Sequence, residues 1–147
     1  MSDPETGPDA PRVVSIEDNP GDIRLIEAGV TAADSDIDLD QYDTGPRALA
    51  ALTDTEGAVS DRPELLLLDM NLPGLSGLEV LQRIRGAHSA DTLPVVVVSS
   101  LENPDDIHRI YEASANGYIK KPTDPDEFIR RIAGAVRFWV TGTDGDH

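Results

Sequence analysis

The chain has 147 residues, no cysteine and a formal net charge of −16. This length supports one domain with its own core. The missing cysteines exclude disulfides and thiolate chemistry, and the excess of acid excludes a general nucleic-acid binder, because phosphate backbones would be repelled.

The start, MSDPETGPDAP, is acidic and polar, so it lacks the apolar segment of a signal peptide, and no apolar run approaches the length of a bilayer span. A cytoplasmic protein with no membrane contact is expected. Ten of the twelve basic residues are arginine and two are lysine, Lys120 and Lys121. Abundant acid with scarce lysine suits a protein kept soluble at high salt, where screening weakens repulsion between surface carboxylates, so a halophilic, archaeal-type source is expected.

Residues 1–11 hold three prolines and three acids and read as a disordered leader. Arg12–Ile16 is a β-branched run, hence a first strand, and it ends in Glu17-Asp18. Asn19-Pro20-Gly21-Asp22 then opens a helix: Asn is a favoured N-cap, Pro fits the first helical turn, and Asp22 suits the positive end of the helix dipole. Ile23, Ile26 and Val30 mark its apolar stripe. Ile37–Tyr42 alternates as an edge strand, Pro46–Leu52 makes a short helix, and Thr53–Pro63 is a polar loop.

Leu65–Leu68 is wholly apolar, the pattern of a central parallel strand covered on both faces, and it stops abruptly at Asp69. Pro73, Gly74 and Gly77 follow as turn residues, and Ser76-Gly77-Leu78-Glu79 is a capping box ahead of Leu81 and Ile84. Pro94–Ser99 is a second buried run. Asn103-Pro104-Asp105-Asp106 opens a helix with Ile107 and Ile110; Gly117–Lys120 is a short last strand; Asp124-Pro125-Asp126-Glu127 opens a final helix with Phe128, Ile132 and Val136. Residues 141–147 read as a disordered tail, leaving one domain over 12–140. Five strands alternating with five helices imply an α/β fold, a parallel sheet with helices on both faces.

In such a sheet the carboxyl ends of the strands share one edge, where open α/β folds keep their ligands. Glu17-Asp18, Asp69 and Ser99-Ser100 all fall there. Three carboxylates on neighbouring strands about 4.8 Å apart resist joint ionisation unless a hard divalent cation shares them. Mg²⁺ suits oxygen donors and keeps waters that a phosphate oxygen can replace. Lys121, before Pro122, adds a compact ammonium on a flexible stem, able to follow a phosphoryl oxygen. Each piece also has a plainer use: Asp69 as a loop or helix cap, Lys120-Lys121 as a solvated basic patch.

EDNPGD at 17–22, LLLLDMNLPGLSGLEVL at 65–81, PVVVVSS at 94–100 and GYIKKP at 117–122 together resemble the receiver domain of two-component response regulators, in that family's order. The resemblance implies a flavodoxin-like doubly wound sandwich of strand order 2-1-3-4-5. It makes Asp69 the acceptor of a phosphoryl group from a histidine kinase, with Mg²⁺ held by Glu17, Asp18, Asp69 and the backbone carbonyl of Asn71. Lys121 and Ser99 would bind the phosphoryl oxygens, Ser99 and Tyr118 would form the switch, and Asn71 and Leu101 would tune hydrolysis. Leu101 offers water no polar hook, so a phospho-form that is not short-lived is expected. Glu17 stands where Asp is common and is one carbon longer.

With only seven residues after Val140, the signal is expected to leave through the receiver's own surface toward a downstream protein, the family's usual face being about 105–140. The EDNPGD opening and the FWV ending are similar to stand-alone receivers partnered with phytochrome-type or PAS-containing kinases, which often form homodimers through that face. Phe138 and Trp139 are equally placed to serve an interface or to close the core. The resemblance implies a signalling domain that assists its own phosphorylation and dephosphorylation, not a dedicated enzyme.

Competing chemistries fit less well. A haloacid-dehalogenase-like phosphatase needs an acid two residues beyond its nucleophile, where Asn71 stands. A calcium loop starting at Asp69 loses oxygen ligands at Pro73 and Val80. A receiver-like dimerisation module that works without phosphorylation remains the alternative.

Overall fold

The computed structural model describes residues 10–52 and 63–141; the expected leader, the polar loop after Leu52 and the tail lie almost wholly outside them. Five strands, β1 (Arg12–Ile16), β2 (Asp38–Tyr42), β3 (Leu65–Leu68), β4 (Val95–Ser99) and β5 (Gly117–Lys120), pair in parallel in the order β2-β1-β3-β4-β5. Between and after them run α1 (Pro20–Ala33), α2 (Gly45–Leu52), α3 (Gly77–Ala87), α4 (Pro104–Glu112) and α5 (Pro125–Val136). The parallel sheet with helices on both faces is the one expected from the alternation of start signals, and its strand order is the doubly wound, flavodoxin-like one that the resemblance implies.

The β3 leucines show why an unbroken apolar run belongs in the centre. Successive side chains of a strand point to opposite faces. Leu66 and Leu68 therefore enter the core beneath α2, α3 and α4, with Val80, Leu81 and Ile84. Leu65 and Leu67 enter the core beneath α1 and α5, with Ile26, Phe128 and Ile132. Val95 and Val97 of β4 join the first cluster, Val96 and Val98 the second. Full burial of each such side chain contributes about 1.5–3 kcal/mol, so the two central strands anchor both layers. Among the described residues no helix is long and apolar enough to cross a membrane.

The helices begin where their caps predict. Asn19, Asn103, Asp124 and Ser76 each accept a backbone N–H of the following turn, and Ser76 with Glu79 closes a full capping box. Three boundaries move by one residue. Ile37 donates its N–H to Asp34 in a turn, so β2 starts at Asp38. Pro94 has no N–H to give and precedes β4, offering only its carbonyl to Leu66. Thr44 receives the Arg47 N–H, so α2 starts at Gly45.

Beyond α5 the backbone widens into a π-helical turn, Arg137–Thr141. The two aromatics on it differ in burial. Trp139 packs against the α1–α5 core, whereas Phe138 is 67% exposed, its ring set edge-on at 4.9 Å from the indole.

Candidate functional site

The strand ends are pinned to one another by the backbone. Asp69 N–H donates to Ile16 O at 3.1 Å, Glu17 N–H to Tyr42 O at 3.0 Å, and Lys121 N–H to Ser99 O at 2.8 Å. Glu17 and Asp69 are thereby neighbours at the end of β1 and β3, and Lys121 sits beside Ser99 at the end of β4 and β5. Gly77, at the start of α3, lets that helix come down on the strand end. Its N–H donates to Met70 O at 3.0 Å, and a Cβ there would lie 2.4 Å from Asp69 O.

These ends wall an open cleft of about 720 Å³ lined by Glu17, Asp18, Asp69, Asn71, Ser99 and Lys121, among others. Every residue expected to act on metal or phosphoryl therefore faces one space. Glu17 and Asp69 are buried, at 1% and 4% exposed, and so is Ser99; Asp18 is exposed. One oxygen from each of Glu17, Asp18 and Asp69 lies within 4.8 Å of the others.

Lys121 is the cation of the cleft. Its Nζ lies 3.1 Å from Glu17 Oε1, 3.5 Å from Asp69 Oδ1 and 2.8 Å from Asp22 Oδ2. Only the Asp22 contact is a well-formed hydrogen bond; Glu17 Oε1 and Asp69 Oδ1 are buried without a hydrogen-bond partner. The other Glu17 oxygen accepts the Asn19 N–H at 3.1 Å.

The charges follow. Burial first, then the Asp69 carboxylate, pushes Glu17 up to about 7. Burial also raises Asp69, against the pull of Lys121 and the Asn71 backbone N–H. Burial would depress the Lys121 ammonium, but Asp22, Asp69 and Glu17 outweigh it and the group is raised. Two buried carboxylate oxygens with no hydrogen-bond partner, an exposed carboxylate beside them and an all-oxygen donor set suit a hard divalent cation.

Tyr118, half-buried on β5, packs against the core under α4 and aims its hydroxyl at the carbonyls of Ser99 (3.2 Å) and Leu101. It thus holds the end of β4 at Ser99 and the loop that carries Leu101. Lys120, the other lysine, is exposed and pairs with Glu102 at 2.9 Å, outside the cleft. Asp22 is the residue that sequence reasoning left as a helix-dipole partner. The available signal was its place in the first turn of a helix that starts at the ligand edge of the sheet.

The response regulator receiver domain model matches residues 13–133. The chain is 33% identical over 141 residues to response regulator Rcp1 of Synechocystis sp., covering 95% of both chains. Among solved structures it is similar to the phosphorylated cyanobacterial phytochrome response regulator RcpA, at 32% identity and TM-score 0.80 over 90% of this chain and 96% of that one. It is also similar to the Mn²⁺-bound form of Rcp1, at 30% identity and TM-score 0.76 over 88% and 94%.

Proposed function

Because the chain belongs to the response regulator receiver domain family, we propose that it takes a phosphoryl group from a histidine kinase onto Asp69 and signals through its own surface in the cytoplasm. The observation that carries this reading is the meeting of the Asp69 carboxylate, 4% exposed, with the Glu17 and Asp18 carboxylates and the Lys121 ammonium in one open cleft.

Glu17, Asp18, Asp69 and the Asn71 backbone carbonyl would hold Mg²⁺, as the donor set and its two oxygens without a hydrogen-bond partner suit. Bound there, the ion neutralises charge on the transferring phosphoryl oxygens. An Asp69 oxygen attacks phosphorus in line, and the phosphorus–nitrogen bond to the kinase histidine breaks with its electron pair on the imidazole nitrogen. Lys121 pairs with one equatorial oxygen and Ser99 donates its hydroxyl to another. The acyl phosphate resets when water attacks phosphorus and the Asp69 carboxylate leaves. Asn71 and the apolar Leu101 flank that water's approach, and a phospho-form that is not short-lived follows.

Switching couples Ser99 to Tyr118. The added negative charge and acceptor oxygens draw Ser99 toward the phosphoryl group, which shifts the loop whose carbonyls the Tyr118 hydroxyl now holds. The kinase is of the phytochrome or PAS-containing type, a reading supported by the phytochrome response regulator among the similar structures. A homodimer through the 105–140 face is the output form.

Incubation of the full chain with Mg²⁺ and acetyl phosphate tests the reading. Intact mass should rise by one phosphoryl group in the wild type and not in Asp69→Asn. No gain in the wild type, or an equal gain in the variant, overturns it, and the first outcome favours a dimerisation module that works without phosphorylation.

A further inference from the structure

Asp22 is the carboxylate nearest Lys121, yet it is outside the acidic trio. Its Oδ2 accepts from Nζ at 2.8 Å, against 3.1 Å for Glu17 and 3.5 Å for Asp69. The acids whose oxygens gather within 4.8 Å of one another are Glu17, Asp18 and Asp69. A place in the first turn of α1 accounts for Asp22 as a dipole partner. It does not account for the side chain reaching across to the end of β5.

An ammonium has three protons to donate and accepts nothing. Three carboxylates surround Lys121, whose side chain is only 13% exposed. A phosphoryl group on Asp69 brings strong acceptor oxygens, which compete with these carboxylates for the ammonium. Glu17 is tied to the metal position and Asp69 becomes the carrier of the phosphoryl group. Asp22 has neither duty, and at 23% exposure it can take water in place of the lysine.

Resting on the reading of Asp69 as phosphoacceptor, we propose that Asp22 is the counter-ion of Lys121 in the resting protein, displaced when the phosphoryl group arrives. Asp22 then acts as a positioning residue whose competition for the ammonium sets how firmly the phosphorylated state is held. Asp22→Asn keeps the shape and leaves the backbone N–H that Asn19 caps untouched, but weakens that competition.

The chain has two lysines, so ¹⁵Nζ-lysine labelling gives a two-signal spectrum. In the metal-free protein, Asp22→Asn should move the Lys121 signal and leave that of Lys120 in place. With Mg²⁺, beryllofluoride, a stand-in for the phosphoryl group, should bind the variant about tenfold more tightly, the scale of one charge-assisted hydrogen bond. Once it is bound, the Lys121 signals of wild type and variant should coincide, because Asp22 has been released. An unmoved Lys121 signal in the free variant, an unchanged affinity, or signals that still differ in the bound state overturns the assignment of Asp22. A wild type that takes up no beryllofluoride overturns the phosphoacceptor reading and this inference with it.

Discussion

Gly77 and Asp69 touch without a side chain between them: a Cβ on Gly77 would stand 2.4 Å from the Asp69 carbonyl oxygen and 2.4 Å from Met70 Cα. Both obstacles are backbone, so neither can swing aside. Alanine in place of glycine favours a helix by up to about 1 kcal/mol, but overpacking of this kind costs about 1–3 kcal/mol. The second effect wins. Gly77→Ala should lower the urea midpoint and slow phosphoryl uptake from acetyl phosphate, because α3 must lift from the strand end. Wild-type values for both would show that helix and strand end are not locked.

Glu17 makes stability depend on pH in the absence of metal. Its carboxyl sits at about 7 in the fold against 4.5 ordinarily. Between those values the folded state keeps a proton that the unfolded chain has released, so unfolding free energy falls as pH rises. The contribution is complete below 4.5 and gone above about 7, on the order of 3 kcal/mol for a group this buried. Asp69, also raised by burial, adds in the same direction. Lys121 does not, since its raised titration lies above 10.5. Mg²⁺ binds the ionised carboxylates, so its stabilisation should grow with pH. Thermal unfolding with and without Mg²⁺ between about pH 5 and pH 8 checks this; a flat metal-free profile in the wild type would sink it.

Ser15 is fully buried in β1, and its Oγ has no hydrogen-bond partner. A hydroxyl left unsatisfied in the interior costs about 1–3 kcal/mol. Ser15→Ala should therefore raise stability by about 1 kcal/mol after the small loss of packing, read as a higher denaturant midpoint at unchanged slope. A lower midpoint would mean that the hydroxyl is satisfied in solution.

The Tyr118 hydroxyl ties β5 to the end of β4 and the loop after it, beside the exposed Lys120–Glu102 ion pair. Tyr118→Phe keeps the ring in the core and frees the carbonyls of Ser99 and Leu101. Hydrogen exchange of the amides over 100–103 should quicken, with a stability loss of about 1 kcal/mol. Unchanged exchange would place the hold on this loop elsewhere.

A net charge of −16 on 147 residues makes the folded chain repel itself at low salt. Added KCl screens that repulsion, so Tm should rise with salt. A sharp fall would contradict the expectation of a halophilic source.

The sheet and its ligand edge were legible because each strand signal stood apart from its surroundings. Four leucines broken by Asp69 admit few readings, and Asn-Pro-x-Asp repeated before an apolar stripe marks a helix start through known capping chemistry. Boundaries slipped by one residue where the backbone is still in a turn, as at Ile37, or where a proline had nothing to donate, as at Pro94. The Asp22–Lys121 contact was not legible, since residues 99 positions apart meet only through the tertiary fold. Nor was the different fate of Phe138 and Trp139, which is decided by what packs against each ring in the fold.

Lys121 follows β5, the last of the described strands to be made, while its partners Glu17 and Asp22 lie near the opposite end of the described chain. A ribosome that has delivered Asp69 has yet to deliver the ammonium. Until translation has run past that lysine, the growing polypeptide carries the acids of the cleft without the ammonium that stands among them, so the cleft's charge is balanced only when nearly all of the described chain has been made.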